Sequence, residues 1–313
     1  MTLPELLAPA GNLEKLKIAF RFGADAVFVG GKVFGLRKYA DNFDLTELKA
    51  GVDLANQLGK QVYVVLNGFA HEADMDALHD HLAELEAIQP HGFIISDMGV
   101  FQLAKRLTTI PLHVSTQASV TNAAACQFWK EAGASRIILA REVSVAECRE
   151  ILAEVETELE VFVHGAMCAS YSGKCVISNY SAGRDSNRGG CVQSCRHPYH
   201  VADDHGPDAA YTRHIMNAKD LNALMLLPEI VQSGIASLKI EGRMKSNLYL
   251  ANSVRAYRLA LDAIANGLEG DALQDHLTRL STDLSLVSNR QFTTGGGGPS
   301  LGCRLGQSRL WTL

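Results

Sequence analysis

Several features that define large classes of protein are missing from this sequence of 313 residues. No uncharged apolar run approaches the roughly 20 residues that a bilayer-spanning helix needs. The first residues do not combine a basic stretch with a long apolar core, so the N-terminus does not match a secretory signal. These absences lead us to expect a cytoplasmic protein that has no contact with a membrane.

An excess of positive charge is also missing. Lysine and arginine together number 29 and aspartate and glutamate 34, which gives a net charge of −5. Such a protein cannot coat a polyanion through bulk charge, so any contact with a nucleic acid must rely on a local basic patch. With 47% hydrophobic and 20% charged residues, the composition is that of an ordinary globular protein with a sizeable core.

The short motifs of common enzyme classes are absent as well. No GxGxxG or GxxxxGK[ST] phosphate-binding loop opens a helix, which counts against an open, doubly wound nucleotide-binding sheet. HExxH and GxSxG are missing too, so no standard hydrolytic centre is recognisable.

Eight short apolar runs are present, and the segments between them carry apolar residues at helical spacing. The runs are 4–11, 24–31, 61–67, 92–97, 111–117, 135–142, 159–165 and 236–242. Most are too continuously apolar for a sheet with one face in water, which is typical of parallel strands that are covered on both faces. The alternation predicts an α/β fold, a (β/α)8 TIM-type barrel over residues 1–265. Small or polar residues end each run, and in a barrel these ends converge on the face that carries the active site.

Between the seventh and eighth runs lies a long insertion, residues 166–235, which contains Cys168, Cys175, Cys191 and Cys195. The spacing is C-x6-C-x15-C-x3-C, with several glycines between the cysteines. Four thiolates on a permissive backbone suit an iron–sulfur cluster. Structural zinc prefers closely paired ligands such as C-x2-C, which this segment does not have. Zinc and unligated thiols nevertheless remain alternatives at this point.

The remaining cysteines are isolated. Cys126 and Cys148 fall in helical stretches, where a lone cysteine usually behaves as a small buried hydrophobic residue. Cys303 belongs to a C-terminal extension, residues 266–313, that carries little pattern and ends in a glycine-rich stretch. We expect that glycine-rich stretch to be flexible.

Residues 160–178, EVFVHGAMCASYSGKCVIS, match every specified position of the pattern E-x-F-x2-G-[SA]-[LIVM]-C-x4-G-x-C-x-[LIVM]-S. On these residues the chain resembles peptidase family U32. The segments PELLAPAG (4–11), GADAVFVGG (23–31), MNAKDL (216–221) and LKIEGRMKS (238–246) resemble the branch of that family that hydroxylates tRNA. Longer members continue past a segment that corresponds to 288–295, so we expect a shortened or altered C-terminal end here.

The resemblance implies an oxygen-independent hydroxylase, in spite of the family name. The implied reaction is 5-hydroxyuridine formation at the wobble position of tRNA, with prephenate as the small dicarboxylate that donates the oxygen and the anticodon loop as the RNA partner. The implied cofactor is a 4Fe-4S cluster, whose ligand positions correspond to Cys168, Cys175, Cys191 and Cys195. Two alternatives remain: a U32-type peptidase or collagenase, and a cluster-bearing subunit of a partner enzyme.

A dicarboxylate donor requires cationic side chains in a partly buried pocket, because a guanidinium binds a carboxylate through two parallel hydrogen bonds. The predicted substrate-binding residues at the strand ends are Arg37, Asn67, Arg141, Lys239 and Arg243. The alternative for each cation is an ordinary salt bridge, for example from Arg141 to Glu142 or from Arg243 to Glu241. The predicted catalytic residues are His164, Gln117 and Glu241.

Other residues near the cysteines are candidates for RNA contact. The basic candidates are Arg184, Arg188, Arg196, Lys219, Arg243 and Lys245, and the candidates for base stacking are Tyr171, Tyr180 and Tyr199. A solvated charged surface would account for the same residues. For the peptidase alternative, His164, His197 and His200 could serve a metal-bound water.

Overall fold

The computed structural model describes residues 2–32, 42–201, 211–287 and 289–294. The strands in these ranges are β1 (Glu5–Ala10), β2 (Ala26–Gly30), β3 (Gln61–Leu66), β4 (Gly92–Ile95), β5 (Leu112–Val114), β6 (Arg136–Ile138), β7 (Glu158–Ala166), β8 (Tyr199–Val201), β9 (Tyr211–Arg213), β10 (Asp220–Asn222), β11 (Ser237–Ile240) and β12 (Phe292–Thr293). The helices are α1 (Leu13–Arg21), α2 (Leu45–Leu58), α3 (Met75–Ile88), α4 (Met98–Leu107), α5 (Ala123–Ala132), α6 (Val145–Glu154), α7 (Ile177–Ala182), α8 (Leu227–Gln232), α9 (Asn247–Ala265) and α10 (Gly270–Ser285).

Strands β1 to β7 and β11 form a closed parallel barrel. Each strand pairs with the next along the chain, and β11 pairs with both β7 and β1, which closes the ring. Every predicted apolar run coincides with one of these strands to within a few residues at either end, so the predicted (β/α)8 barrel is confirmed. The reason is physical: strands that lie between a packed interior and a layer of helices are buried on both faces, and their sequences stay apolar throughout.

Polar side chains at the strand ends often begin the next helix. Asp97, which follows β4, accepts hydrogen bonds from the backbone N–H groups of Gly99 and Val100 at the start of α4. Asn12 and Ser144 cap α1 and α6 in the same way. These caps satisfy N–H groups that have no partner within a helix, so part of the polarity at the strand ends belongs to the fold.

The chain between β7 and β11 carries elements outside the barrel. Strand β10 pairs antiparallel with β7, and β12 joins the outer side of β10 in parallel. Helix α7 lies between the second and third cysteines, and β8 and β9 form a separate two-stranded sheet. The cysteines therefore lie beyond the C-terminal end of β7, on the face of the barrel where the strands end.

Part of the C-terminal extension is more regular than we expected. Residues 270–285 form α10, whose contact with the rest of the molecule is a stripe of buried leucines: Leu273, Leu277, Leu280 and Leu284. Their spacing of three and four residues is helical, but the abundant polar residues between them obscured it. The glycine-rich stretch with Cys303 lies outside the described residues.

The two isolated cysteines in helices are buried as predicted. Cys126 on α5 and Cys148 on α6 are both fully buried, and burial raises the pKa of Cys126 to about 11 and that of Cys148 to about 12. Both therefore stay protonated thiols inside the core. Among the described helices, none combines the length and the hydropathy that crossing a membrane would require.

Candidate active site

A cavity of about 430 Å³ lies at the C-terminal end of the barrel strands. Apolar barrel side chains form its inner wall, among them Phe28, Val65 and Phe162. Of the side chains predicted to bind or transform a substrate, the cavity is lined by Asn67, Gln117, Arg141, Lys239, Glu241 and Arg243. The structure thus brings these six residues together, although they come from the ends of four different strands; their roles stay predictions.

Two other predicted residues are not among them. Arg37 lies outside the described residues. His164, on β7, is 1% exposed and does not line the cavity. The centre of its ring lies 5.7, 5.5 and 5.4 Å from those of Tyr249, Tyr257 and Phe292. Burial lowers the pKa of His164 to about 4, so at neutral pH it is an uncharged ring among aromatic side chains.

No histidine is present among the described residues that line the cavity. His197 and His200 are both exposed on the surface beyond the fourth cysteine. Several serines do line the cavity, including Ser115 and Ser170. Within the described ranges, a serine nucleophile there has no imidazole base beside it, which a peptidase of the Ser–His type requires.

Inside the barrel, a buried carboxylate holds Lys239. Glu160 Oε1 lies 2.7 Å from Lys239 Nζ, and Glu160 Oε2 lies 3.5 Å from Arg136 Nη1. Arg136 also pairs with Glu5 at 2.7 Å and with Glu158 at 2.9 Å. Burial alone would raise the pKa of Glu160, but Lys239 and Arg136 hold it below its usual range. The ammonium group at the cavity wall is therefore largely neutralised by a carboxylate behind it.

Glu160 was absent from the predicted site residues. One signal of it was available: it is a carboxylate within the apolar run of β7, where an uncompensated charge would be costly. The isolated carboxylate did not indicate which cation pairs with it, because Lys239 lies 79 residues further along the chain. The salt-bridge alternative considered for Lys239 is thus realised with a distant strand of the barrel.

Arg141, in the loop after β6, has no carboxylate partner within the described part of the chain. Its guanidinium lies 4.2 Å from the centre of the Phe162 ring, and its Nη1 lies 3.5 Å from Cys168 Sγ. Its buried Nε has no hydrogen-bond partner there. Glu142 does not pair with it, since Glu142 Oε1 accepts a hydrogen bond from the backbone N–H of Ser172 at 3.0 Å. A guanidinium in this state is suited to bind an anion that enters the cavity.

Arg243, in the loop after β11, is held against the end of β2. Its Nη2 donates a hydrogen bond to Asn42 Oδ1, and its side chain is only 5% exposed. The guanidinium passes so close to Gly30 that a Cβ atom on that residue would lie 2.4 Å from Arg243 Nη1. The glycine at the end of β2 therefore makes room for this arginine.

All four cysteines of the predicted metal site line the same cavity. Cys168 and Cys191 are exposed, Cys175 and Cys195 are partly exposed, and none forms a disulfide. Burial and the other three thiols raise the pKa of Cys195, while Arg196 lowers it. In the described residues, no three His, Cys, Asp or Glu side chains are gathered closely enough to surround one metal ion.

The segment that carries these cysteines, residues 167–201, is called the cysteine segment below. It contacts the barrel loops at several points. Gly173 has a φ of +74°, and a Cβ atom there would lie 2.0 Å from the carbonyl oxygen of Gln117. Arg188 Nη1 donates hydrogen bonds to the carbonyl oxygen of Phe69 at 2.9 Å and to Asp74 Oδ2 at 2.8 Å. The cysteines and the cavity are therefore parts of one packed unit.

The candidates for RNA contact divide into two groups. Tyr180 is 96% exposed and Tyr171 40% exposed, so both rings are accessible. Tyr199 instead donates a hydrogen bond from its hydroxyl to the carbonyl oxygen of Ser194 at 2.9 Å. Among the cations, Lys219 is exposed and Arg184 lines the cavity. Arg188, Arg196 and Lys245 form hydrogen bonds or ion pairs within the protein.

Comparison with known proteins gives several matches. The model of peptidase family U32 matches residues 11–296. The tRNA hydroxylation protein P1 of Bacillus subtilis (strain 168) is 47% identical over 298 residues, which cover 93% of this chain and 70% of that protein. The 23S rRNA 5-hydroxycytidine synthase of Escherichia coli (strain K12) is 36% identical over 260 residues, covering 83% of this chain and 39% of that protein.

Among solved structures, that of a U32 peptidase aligns with a TM-score of 0.51 and 15% sequence identity. The alignment covers 77% of this chain and 94% of that structure. At this identity the likeness concerns the fold alone, because the same barrel supports many chemistries. It agrees with the closed barrel described above.

Proposed function

Because this chain belongs to peptidase family U32, and because relatives that span most of it are named for hydroxylation of tRNA or rRNA, we propose that it is an enzyme that hydroxylates RNA. We propose the wobble uridine of tRNA as its target. The observation that supports this most strongly is one cavity lined by four cysteine thiols and by the guanidinium of Arg141. A redox centre and an anion site would then lie side by side.

For the cofactor we propose a 4Fe-4S cluster on Cys168, Cys175, Cys191 and Cys195. The donor set fits, because four free thiols line one cavity. Their arrangement suits a cluster with several irons better than one zinc ion, whose four ligands would each have to approach to about 2.3 Å. A bound cluster would supply a redox-active, Lewis-acidic centre beside the substrate.

For the donor we propose a small dicarboxylate of the prephenate type, with Arg141 as its main anchor. Glu160 neutralises much of the charge of Lys239, whereas no described carboxylate pairs with Arg141. The Arg141 guanidinium lies 4.2 Å from the centre of the Phe162 ring, and an arginine held against an aromatic ring can bind a carboxylate through two parallel hydrogen bonds. Lys239 and Arg243, which line the same cavity, would add weaker attraction.

The remaining polar groups of the cavity would bind the target base of the RNA and accept a proton during the reaction. Asn67 and Gln117 present amide groups that can hydrogen-bond the edge of an extruded base, and Glu241 can accept a proton at its carboxylate. A nucleotide in the anticodon loop costs less to extrude than one in a duplex, because it has no pairing partner to lose. The apolar inner wall would exclude water from the bound base.

The charge of the cysteine segment is compatible with an RNA partner. Between residues 167 and 201 there are four basic residues and one acidic residue, although the whole chain carries a net charge of −5. Tyr171 lines the cavity and is also 40% exposed, so its ring is available to stack on a base at the entrance. Arg188 and Arg196 are engaged within the protein, so Lys174 and Arg184 together with this ring would supply the local patch that an acidic protein needs to bind RNA.

The function is tested by complementation of a strain that lacks this gene and any second copy, with mass spectrometry of tRNA nucleosides. We expect wild type to restore 5-hydroxyuridine and Cys168→Ala and Arg141→Gln to lose most of it. Arg149→Gln, which alters a half-exposed arginine on α6, is the matched control and should behave as wild type. Failure of the wild-type gene to restore the nucleoside would refute the proposed target.

The cofactor is tested separately on anaerobically purified protein, by analysis of iron, sulfide and zinc. About four irons and four sulfides per chain, lost in Cys168→Ala, are the expected result. Stoichiometric zinc, or neither metal, would refute the proposed cluster even if tRNA were modified.

A further inference from the structure

Arg196 directly follows the fourth cysteine of the cysteine segment, and its guanidinium reaches back to the residue before the first. Arg196 Nη2 donates a hydrogen bond to the carbonyl oxygen of Met167, which precedes Cys168. Arg196 Nη1 donates to Asn217 Oδ1 at 2.9 Å and to the carbonyl oxygen of Ala218 at 3.0 Å. One side chain thus joins the chain at Cys168, the chain at Cys195 and the segment that leads into β10.

The electrostatic surroundings of this guanidinium are unusual. Its hydrogen-bond acceptors are two backbone carbonyls and an amide oxygen, all of them neutral, and no carboxylate forms an ion pair with it among the described residues. Its positive charge is therefore not cancelled by an adjacent anion. The charged groups that act on it from further away are Arg290 and Asp220, which pair with each other, and the thiols of Cys195 and Cys168, whose thiolate forms it would stabilise.

Other contacts hold the backbone of Arg196 in place. Its N–H donates to the carbonyl oxygen of Gln193 at 2.8 Å, and its own carbonyl lies 3.1 Å from His214 Nδ1. Because both ends of the side chain are fixed, the separation between the backbones at Cys168 and Cys195 depends on the length and shape of the arginine. A lysine could carry the charge, but its single nitrogen does not span the distance between the acceptors that Arg196 holds with Nη1 and with Nη2.

We propose that Arg196 is a positioning residue for the cysteine centre: it fixes the distance between Cys168 and Cys195 and supplies positive charge to their thiolates. The part that concerns a bound cluster rests on the proposed function. The part that concerns the distance between the two thiols does not, because it applies to the metal-free chain as well. Groups that orient metal ligands without touching the metal commonly change metal affinity by about 10–100-fold.

The first test measures geometry without any metal. In metal-free protein that carries Cys175→Ser and Cys191→Ser, a short bifunctional thiol reagent is allowed to bridge Cys168 and Cys195, and peptide mapping quantifies the bridge. We expect Arg196→Gln and Arg196→Lys to lower the bridging rate several-fold and the control Arg149→Gln to leave it unchanged. Arg149 is a suitable control because it too donates to a backbone carbonyl, that of Glu229 at 3.3 Å. An unchanged rate in both Arg196 variants would overturn the proposal.

The second test uses the loaded wild-type cysteines. We expect iron release to a chelator to be about tenfold faster or more in Arg196→Gln, and the reduction potential of the centre to fall in Arg196→Gln but not in Arg196→Lys. The thermal unfolding of the metal-free proteins should be unchanged, which a general structural role would not predict. If metal-free Arg196→Gln unfolds at a clearly lower temperature than metal-free wild type, the residue has a general structural role and the proposal is wrong. If wild type binds no metal but still bridges faster than the Arg196 variants, the proposed cluster fails and the positioning role stands.

Discussion

Replacing Glu160 with glutamine should strongly destabilise the barrel, because it leaves a buried ammonium group without its counter-ion. Lys239 has Glu160 as its carboxylate partner at 2.7 Å, and the side chains are 6% and 0% exposed. Arg136 would lose less electrostatic stabilisation, since it keeps its ion pairs with Glu5 at 2.7 Å and with Glu158 at 2.9 Å. The substitution therefore creates one uncompensated buried charge, which costs about 3–5 kcal/mol. At roughly 2 °C per kcal/mol for a chain of this size, the Tm should fall by about 6–10 °C.

The matched control is Glu158→Gln. Glu158 lies on the same strand and pairs with the same arginine, but its side chain is 55% exposed, so its loss should cost less than about 1 kcal/mol. A double variant, Glu160→Gln with Lys239→Met, should recover part of the stability, because it removes the buried ammonium group that has lost its counter-ion.

Urea denaturation at neutral pH, followed by circular dichroism, measures the three variants against wild type. The reasoning is refuted if Glu160→Gln lies within about 1 kcal/mol of Glu158→Gln. It is also refuted if the double variant is less stable than Glu160→Gln alone, since that would mean that Lys239 stabilises the barrel without its carboxylate.

Three further predictions concern other positions. Gly173→Ala should release the cysteine segment and lower iron content, because the new Cβ atom would lie 2.0 Å from the carbonyl oxygen of Gln117 at a φ of +74°; iron content equal to wild type would contradict this. Gly30→Ala should displace Arg243 and raise the donor concentration for half-maximal rate by about tenfold while kcat changes less; an unchanged value would show that Arg243 does not contact the donor. His164→Phe should leave activity unchanged at neutral pH. Since burial lowers the pKa of His164 to about 4, wild type should lose up to about 3 kcal/mol of stability between pH 6.5 and 4 as its unfolded state binds the proton. The free energy of unfolding of the phenylalanine variant, measured by urea titration, should fall less over that pH range. An equal fall in both proteins would contradict the lowered pKa of His164.

The barrel could be predicted because its evidence is local in the sequence. A run such as 61–67 is apolar throughout since both faces of β3 are covered, and the same holds for the other strands of the ring. The gathering of Gln117, Arg141 and Arg243 around one cavity followed from the same fact, because closing the ring brings all strand ends to one face. These predictions needed no knowledge of which side chains touch.

The pairings inside the site could not be predicted, because they depend on which distant strands face each other. Glu160 and Lys239 are separated by 79 residues, and neither segment carries a sequence pattern that indicates the other as its partner. The side of the strand on which a side chain lies could not be predicted either. A histidine at a strand end beside the cysteines is a reasonable catalytic candidate, yet His164 packs against Tyr249 and Tyr257 outside the cavity. Alternation along a strand decides which side a residue takes, and a bulge shifts that alternation in the pairing of β7 with β11 at Lys239 and Ile240.

The contacts of the cysteine segment indicate how the proposed cluster and the cavity would influence each other. Arg141 is in contact with Cys168 Sγ at 3.5 Å and also lines the space where a donor would bind. Gly173, two residues before Cys175, packs on the backbone of Gln117, which lines the same space. A donor that draws the Arg141 guanidinium towards its carboxylate would weaken the N–H···S contact, and a change in charge at the thiolates would alter the attraction of Arg141 for the donor. Binding of the donor and the electronic state of a centre at these cysteines would thus be linked through one side chain, and by reciprocity each would change the free energy of the other.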